Sequence, residues 1–319
     1  MKKSVIAAVR VVTDLIAFVA AFIAMGVLQR IKPFRQGYFA NDESIQYPFK
    51  SSTVPSYVLY IVSSILIVVT IVAVELTVYR KQLKVKKCRI PVVLYSIYNQ
   101  LIVAFFGYFV TIAITDIGKV VIGRLRPNFF SVCKPTPLVV SPLNYTLEYA
   151  CQSGTAKDHT DIEKSFFSGH SSTSIYSAVF LCLYIQLRLP RLSVPALRIV
   201  LQVVYISLGV TVCITRIVDN KHHWSDVLTG GIAGFLIALS VPFYIPHLYR
   251  KSTEEPTLPM FQDMKPEESS SLSPGSFSQN YAARNQSRLP VIDPSVHARL
   301  LLPTRTHVSA SQFTRDKLS

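Results

Sequence analysis

VVLYSIYNQLIVAFFGYFVTIAITDIG, residues 92–118, holds a single charged side chain, Asp116. About 20 mostly apolar helical residues cross the hydrocarbon core of a bilayer, so a stretch this long reads as a transmembrane helix. Working outward from it, residues 4–28, 55–79, 171–189, 195–215 and 226–249 read the same way. Half of all residues are hydrophobic, only 16% are charged and the mean hydropathy is +0.36, a balance typical of membrane proteins. The expected fold is all-α: a polytopic membrane protein with six transmembrane helices over residues 1–250. From 251 the spanning runs stop and Ser269, Ser270, Ser271, Ser273 and Ser276 gather, which predicts a disordered cytoplasmic tail over 251–319.

The first stretch follows Lys2 and Lys3 and contains Ala20, Ala21 and Ala24, a cleavage-like pattern. Its apolar run is longer than that of a secretory signal, so it reads as a retained span. Arg10 and Asp14 lie four apart within it, on one helical face, and read as a structural ion pair or a snorkelling Arg10, not as site residues. Orientation follows the lysines and arginines of short loops. Arg80, Lys81, Lys84, Lys86, Lys87 and Arg89 follow the second span with no acid among them, and Arg188, Arg191 and Arg198 gather after the fourth. Both loops are expected in the cytosol. Six spans then leave both termini cytoplasmic and place 29–54, 119–170 and 216–225 on the extracellular or lumenal side, although Arg30, Lys32, Arg35 and Lys50 dilute the bias. The net charge of +15 falls in short runs between apolar stretches, so it sets orientation and implies no nucleic-acid partner.

Three segments expected on the outer side carry the chemistry: KVVIGRLRP at 119–127, SFFSGHSS at 165–172 and TRIVDNKHHWSD at 215–226. Lys119, Arg124, Arg126 and Arg216 suit a phosphate ester, because guanidinium matches phosphate oxygens bidentately and lysine adds a point charge. Singly, each cation reads as an interfacial anchor. Gathered with His170, His222 and Asp226, they point to phosphate chemistry. No metal or other cofactor is implied, since a two-metal phosphatase needs several clustered carboxylates. Asp158, Asp161, Glu163 and Asp219 read as solvated loop charges, and the five cysteines lack zinc spacing.

These segments resemble the motifs of the type 2 phosphatidic acid phosphatase superfamily. Lys119, six residues, then Arg126-Pro127 matches the first; Ser168-Gly169-His170 matches the core of the second; Arg216, five residues, His222, three residues, Asp226 matches the third. The chain is most similar to the animal lipid phosphate phosphatases, whose first outer loop also looks like KPFRQGYFANDESIQYPF at 32–49, so the resemblance covers roughly residues 1–250. Two positions depart from the wider superfamily: Phe167 stands where it has proline, and Thr215 where it usually has serine.

The resemblance implies roles for each group. His222 is the nucleophile that forms a phosphohistidine, and Asp226 holds its imidazole in the reactive tautomer. Residue chemistry alone leaves His223 open as the nucleophile, since it lies three residues from the same aspartate. His170 protonates the leaving alkoxide and then activates water. Lys119, Arg126 and Arg216 bind the phosphate oxygens, with Ser168 and Gly169 adding backbone amides at a helix start. The implied substrates are phosphatidate, lysophosphatidate, sphingosine 1-phosphate and ceramide 1-phosphate, reached from the bilayer. The implied residence is the plasma membrane or an endomembrane, with homo-oligomers allowed.

The competing reading is a catalytically silent membrane protein of the same fold that binds lipid phosphates. On the expected outer side, Asn144-Tyr145-Thr146 is a glycosylation acceptor, whereas Asn285-Gln286-Ser287 is expected to stay unmodified in the cytosol. Cys133 and Cys151 share that outer loop and are expected to pair, while Cys88 is expected in the cytosol and Cys182 and Cys213 within spans.

Overall fold

The computed structural model describes residues 3–84, 90–189 and 195–244. The tail from 251 with Asn285, and the loop residues Lys86, Lys87, Cys88, Arg89 and Arg191, lie outside the described residues. In chain order the elements are α1 (Lys3–Arg30), β1 (Tyr38–Phe39), α2 (Ser56–Lys84), α3 (Ile90–Ile122), α4 (Phe129–Cys133), β2 (Pro135–Val140), β3 (Tyr145–Cys151), α5 (Ala156–Ile162), α6 (Gly169–Arg188), α7 (Pro195–Val218) and α8 (Trp224–Ser240).

Among the described residues, five helical stretches are long and apolar enough to cross a membrane: Val11–Arg30, Ser56–Arg80, Val92–Ile122, Pro195–Val218 and Trp224–Phe243. The stretch expected at 171–189 forms α6, a helix of 20 residues that is not among the five. Its position explains its composition. It packs against α2, α3, α7 and α8, so Ser171, Ser172, Thr173, Ser174 and Ser177 are buried against protein and not against lipid. Each hydroxyl placed there must find a partner. Ser177 donates back to Thr173 O at 2.8 Å, Ser172 pairs with Thr115 of α3 at 2.8 Å, and Ser174 donates to Gly209 O of α7 at 3.3 Å.

The bundle core gathers Ile67, Ile71, Ala104, Tyr108, Tyr176, Phe180, Leu181, Tyr184 and Ile185 around α6. Leu15, Ile16 and Phe22 of α1 are more than 60% exposed instead, the inside-out pattern of a surface meant for lipid. Two glycines let α8 lie directly on α6. A Cβ on Gly230 would stand 2.5 Å from Ser168 O, and one on Gly234 would stand 2.1 Å from Ser172 O, so only glycine permits that approach. At the opposite end of α6, Arg188 forms a two-pronged pair with the fully buried Glu75 of α2 at 2.6 and 2.9 Å, with Tyr184 also donating to that carboxylate. Asp14, expected to pair with Arg10, accepts from Tyr98 of α3 at 3.0 Å; the Arg10 side chain lies outside the description.

To the all-helical expectation the structure adds a three-stranded antiparallel sheet of order β1-β3-β2. Tyr149 packs edge to face with Tyr38 and Phe129, and the three cluster with Ile45, Leu125 and Ile162. A disulfide joins Cys133 to Cys151, with Cα atoms 4.6 Å apart. Asn144 sits exposed between β2 and β3 with φ +59°. This cap sits at the end of the bundle where α1, α3 and α7 finish and α2, α6 and α8 begin, the end that carries all three sequence segments.

Candidate active site

Two helix ends and two helix starts build the site. Gly123, at φ +64°, closes α3; its N–H bonds to Lys119 O at 3.2 Å, and a Cβ there would strike Phe34 O at 1.5 Å. The left-handed turn sends Arg124 and Arg126 back across the bundle end. Asn220, at φ +55°, does the same for α7, so that the N–H groups of Lys221 and His222 both reach Arg216 O at 3.0 and 3.3 Å. That return folds His222 over the last turn of α7. Ser168 caps α6 by accepting from Ser171 N at 3.3 Å, and its own N–H binds Asp226 O at 3.0 Å. His223 precedes α8 as its N-cap residue, and its N–H donates to the Asp226 carboxylate at 3.1 Å.

Each cation of the site has its own carboxylate. Lys119 pairs with Asp116 at 3.0 Å, Arg126 with Asp161 at 2.8 Å, Arg216 with Asp219 at 3.0 Å, and Arg124 with Asp226. Sequence reading took Asp161 and Asp219 for solvated loop charges. Asp219 is 4% exposed and bonded to the 1% exposed Arg216, so it is part of the site. Asp161 is exposed yet holds Arg126. Glu163, read the same way, accepts from Tyr149 and pairs with Arg35 in the cap, and Asp158 completes the capping box of α5. Arg124, expected among the phosphate cations, donates Nη1 to Asp226 and Ser225. Lys119 Nζ lies over Gly169, where a Cβ would come within 3.2 Å of it; the missing side chain brings the first and second segments together.

The two adjacent histidines divide. His223 Nδ1 lies 3.2 Å from Asp226 Oδ2, whereas His222 Nδ1 is 4.0 Å from it. The expectation that Asp226 directly orients His222 is therefore corrected. The partner of His222 Nδ1 is the main-chain carbonyl of Ser165, at 2.8 Å. A carbonyl only accepts, so Nδ1 carries the hydrogen and Nε2 keeps its lone pair. Asp226 acts one step back, accepting from Ser165 Oγ at 2.6 Å. Ser165 was not singled out from sequence, and nothing in its spacing marks it.

Burial, followed by Arg126, Lys119 and His170, holds the His222 pKa well below its ordinary value. It is therefore a neutral imidazole inside a cluster of positive charge, the setting a phosphate dianion completes. His170 is lowered to about 3, first by burial and then by Arg216, with Lys119 and Arg126 adding to it. Lys119, Arg126, Arg216, His170 and His222 thus converge, as the three motifs predict. Ser168 places its hydroxyl in the cap, and its amide already has a partner; Gly169 and His170 supply the first amides of α6. The cavity beside Lys119 and Arg126, about 160 Å³, is also lined by Asp116, Asp161 and Lys164 and reaches Leu28 of α1 and Tyr60 of α2.

A family model for the PAP2 superfamily matches residues 100–250, which contain all three segments. Phospholipid phosphatase 1 of Rattus norvegicus is 36% identical over 247 residues, covering 76% of this chain and 87% of that protein. Phospholipid phosphatase 2 of Mus musculus is 32% identical over 268 residues, covering 82% of this chain and 94% of that protein. A Drosophila melanogaster relative is 32% identical over 248 residues, and the match spans 65% of its length. No solved structure matches the chain.

Proposed function

The chain belongs to the PAP2 superfamily, alongside the phospholipid phosphatases, and from that membership we propose that it hydrolyses lipid phosphate monoesters through a phosphohistidine on His222. The observation that carries the reading is a buried, neutral histidine whose Nδ1 is committed to Ser165 O while Arg126, Lys119 and His170 crowd around it. In this mechanism Nε2 attacks phosphorus, the bond to the lipid oxygen breaks, and His170 supplies the proton the alkoxide needs. Water then displaces phosphate from His222, with His170 taking the proton back. Lys119, Arg126 and Arg216 oppose the charge on the equatorial oxygens, held in place by their carboxylates.

The reading includes no metal, because Asp226, the carboxylate nearest the nucleophile, spends its oxygens on Arg124, Ser165 and His223. Phosphatidate, lysophosphatidate, sphingosine 1-phosphate and ceramide 1-phosphate all fit the chemistry of a bundle end lined with cations above apolar helices. In the cell we place the protein at the plasma membrane with six spans, α6 included, and with the site facing outward. The disulfide and the exposed Asn144 both suit an oxidising, glycosylating compartment.

Phosphate release from lysophosphatidate by purified protein, in detergent micelles with excess chelator, tests the activity. His222→Ala is expected to abolish release, and labelled phosphate trapped on the wild-type chain should survive alkali and be lost in acid. Near-normal turnover by His222→Ala beside a dead His223→Ala would transfer the role to His223. Glycosidase digestion of wild type and Asn144→Gln tests the orientation, and sugar on Asn285 would reverse it.

A further inference from the structure

Residues 47–54, between β1 and α2, touch all three catalytic segments although they contain none of the motif residues. Tyr47 N donates to Pro127 O at 2.9 Å, next to Arg126. Lys50 Nζ reaches Val218 O at 2.9 Å, Asn220 Nδ2 reaches Pro48 O at 3.0 Å, and Lys221 Nζ stands 3.9 Å above the Phe49 ring. Thr53 grips Asp219 twice, through its N–H at 2.8 Å and its hydroxyl at 2.7 Å. Asp219 in turn holds Arg216 at 3.0 Å. One residue further on, Val54 O lies 3.0 Å from His170 Nε2.

The last contact fixes a proton. A carbonyl oxygen can only accept, so His170 Nε2 keeps its hydrogen whether the ring is neutral or charged. Proton exchange is left to Nδ1. The charged groups that lower the basicity of this ring, Arg216, Lys119 and Arg126, are cations, so an arriving phosphate dianion favours the imidazolium that Nδ1 then discharges.

We propose that residues 47–54 form a positioning strap, stapled by Thr53 to the Asp219 that holds Arg216, and that this strap presents His170 with Nδ1 as the nitrogen that exchanges the proton. This rests on the phosphohistidine reading. In the first half-reaction the bond from His222 Nε2 to phosphorus forms, the ester P–O bond breaks with its electron pair on the lipid oxygen, and His170 Nδ1–H passes to that oxygen. In the second, Nδ1 takes the proton of the attacking water. Thr53 and Asp219 touch neither substrate nor reacting atoms, so they are positioning residues.

The test uses two esters that differ in their need for the proton. Lysophosphatidate loses an alkoxide, which needs it; p-nitrophenyl phosphate loses a stable phenolate, which does not. Rapid-quench release of the alcohol or phenol in the first turnover is measured for wild type, Thr53→Val, Thr53→Ala, Thr53→Ser and Asp219→Asn, each purified as full-length, monodisperse protein. Thr53→Val and Thr53→Ala, either of which suffices, are expected to slow alkoxide release about 10-fold and phenolate release less than about 2-fold, the size of a misplaced general acid. Thr53→Ser restores the hydroxyl and should behave as wild type. Asp219→Asn, which loosens Arg216 on the phosphate, should slow both esters.

Equal slowing of both esters by the Thr53 variants would make the strap merely structural and overturn the proposal, as would no slowing of either. Wild-type rates for Asp219→Asn would remove the staple. A wild-type protein that releases nothing from either ester would instead sink the phosphatase reading itself.

Discussion

Helices α6 and α7 lie side by side, and each delivers a catalytic segment to the same end of the bundle, yet they follow opposite composition rules. α7 shows Leu197, Ile199, Val200 and Val203 to the outside, all more than half exposed. α6 buries Ser171, Ser172, Thr173, Ser174, Tyr176 and Ser177 at its motif end and Tyr184 and Ile185 at the other. Hydropathy measures what a helix shows to lipid, so it finds α7 easily and undervalues α6. A central helix that never meets lipid is free to carry hydroxyls, provided neighbours satisfy them. The same difference predicts that substitutions on the face of α6 will be costly while those on the outer face of α7 will be tolerated.

The largest effect is expected at Gly234, where α8 rests on the backbone of α6. Any Cβ there meets Ser172 O at 2.1 Å, and backbone cannot step aside as a side-chain tip can. Gly234→Leu should therefore prevent the folded protein from accumulating, as judged by size-exclusion of solubilised membranes. Gly231→Ala, whose Cβ would meet only Ile175 Cγ1 at 3.8 Å, should accumulate normally. If Gly234→Leu accumulated and turned over substrate like wild type, the contrast between a close-packed α6 and a tolerant periphery would fail.

Next in size is the other end of α6. Glu75→Ala leaves Arg188, only 12% exposed, without its buried partner, and breaking a buried pair costs about 3–5 kcal/mol. Thermal inactivation should shift down strongly, and Arg188→Met added to Glu75→Ala should recover much of the loss by removing the stranded charge. A double variant no better than the single would show that the pair's surroundings, not the unpaired charge, set the cost.

How much of this was legible follows from the same physics. The helices that face lipid could be read from sequence because apolar runs report directly on their surroundings. α6 was found as a stretch, but its hydroxyls mean that length and composition alone do not qualify it as a span. Lys119, Arg126, His170, Arg216 and His222 were legible because their motif spacings survive as spatial convergence. Asp219, Thr53 and Ser165 were not, because each works through a contact set by loop geometry: Thr53 to Asp219 spans 166 residues, and Ser165 O to His222 spans 57. The nearer partner of Asp226 was not legible, since helical spacing puts both His222 and His223 near it and only the geometry at the start of α8 brings His223 closer. The small sheet escaped notice because β1 has just two residues and pairs with a strand more than 100 positions away.

A smaller effect should separate the two helices at the level of one hydroxyl. Ser172→Ala removes the 2.8 Å bond to Thr115 and is expected to cost about 0.6 kcal/mol, the usual worth of a hydrogen bond between helices in a membrane. Thr115→Val should cost a similar amount. The double variant should cost less than their sum, because the second change removes a partner already lost. Strict additivity in thermal inactivation would mean that the two hydroxyls do not work as a pair.

The smallest effect belongs to the outer face of α7. Ile199, at 61% exposure, and Val203, at 58%, present their side chains away from the bundle, so exchanging them for another apolar residue alters contact with lipid and leaves the protein core as it was. Ile199→Leu and Val203→Leu are expected to stay within about 0.5 kcal/mol of wild type in stability, with unchanged turnover in both bilayers and micelles. Val203→Asp is the sharper probe, since a carboxylate on a lipid-facing helix centre costs about 2.5–3.5 kcal/mol by insertion scales and nothing if that face looks into water. Insertion of the Val203→Asp variant should therefore fall while that of the two leucine variants holds. Equal insertion of all three would mean that the exposed face of α7 does not meet hydrocarbon, and the contrast with α6 would need another cause.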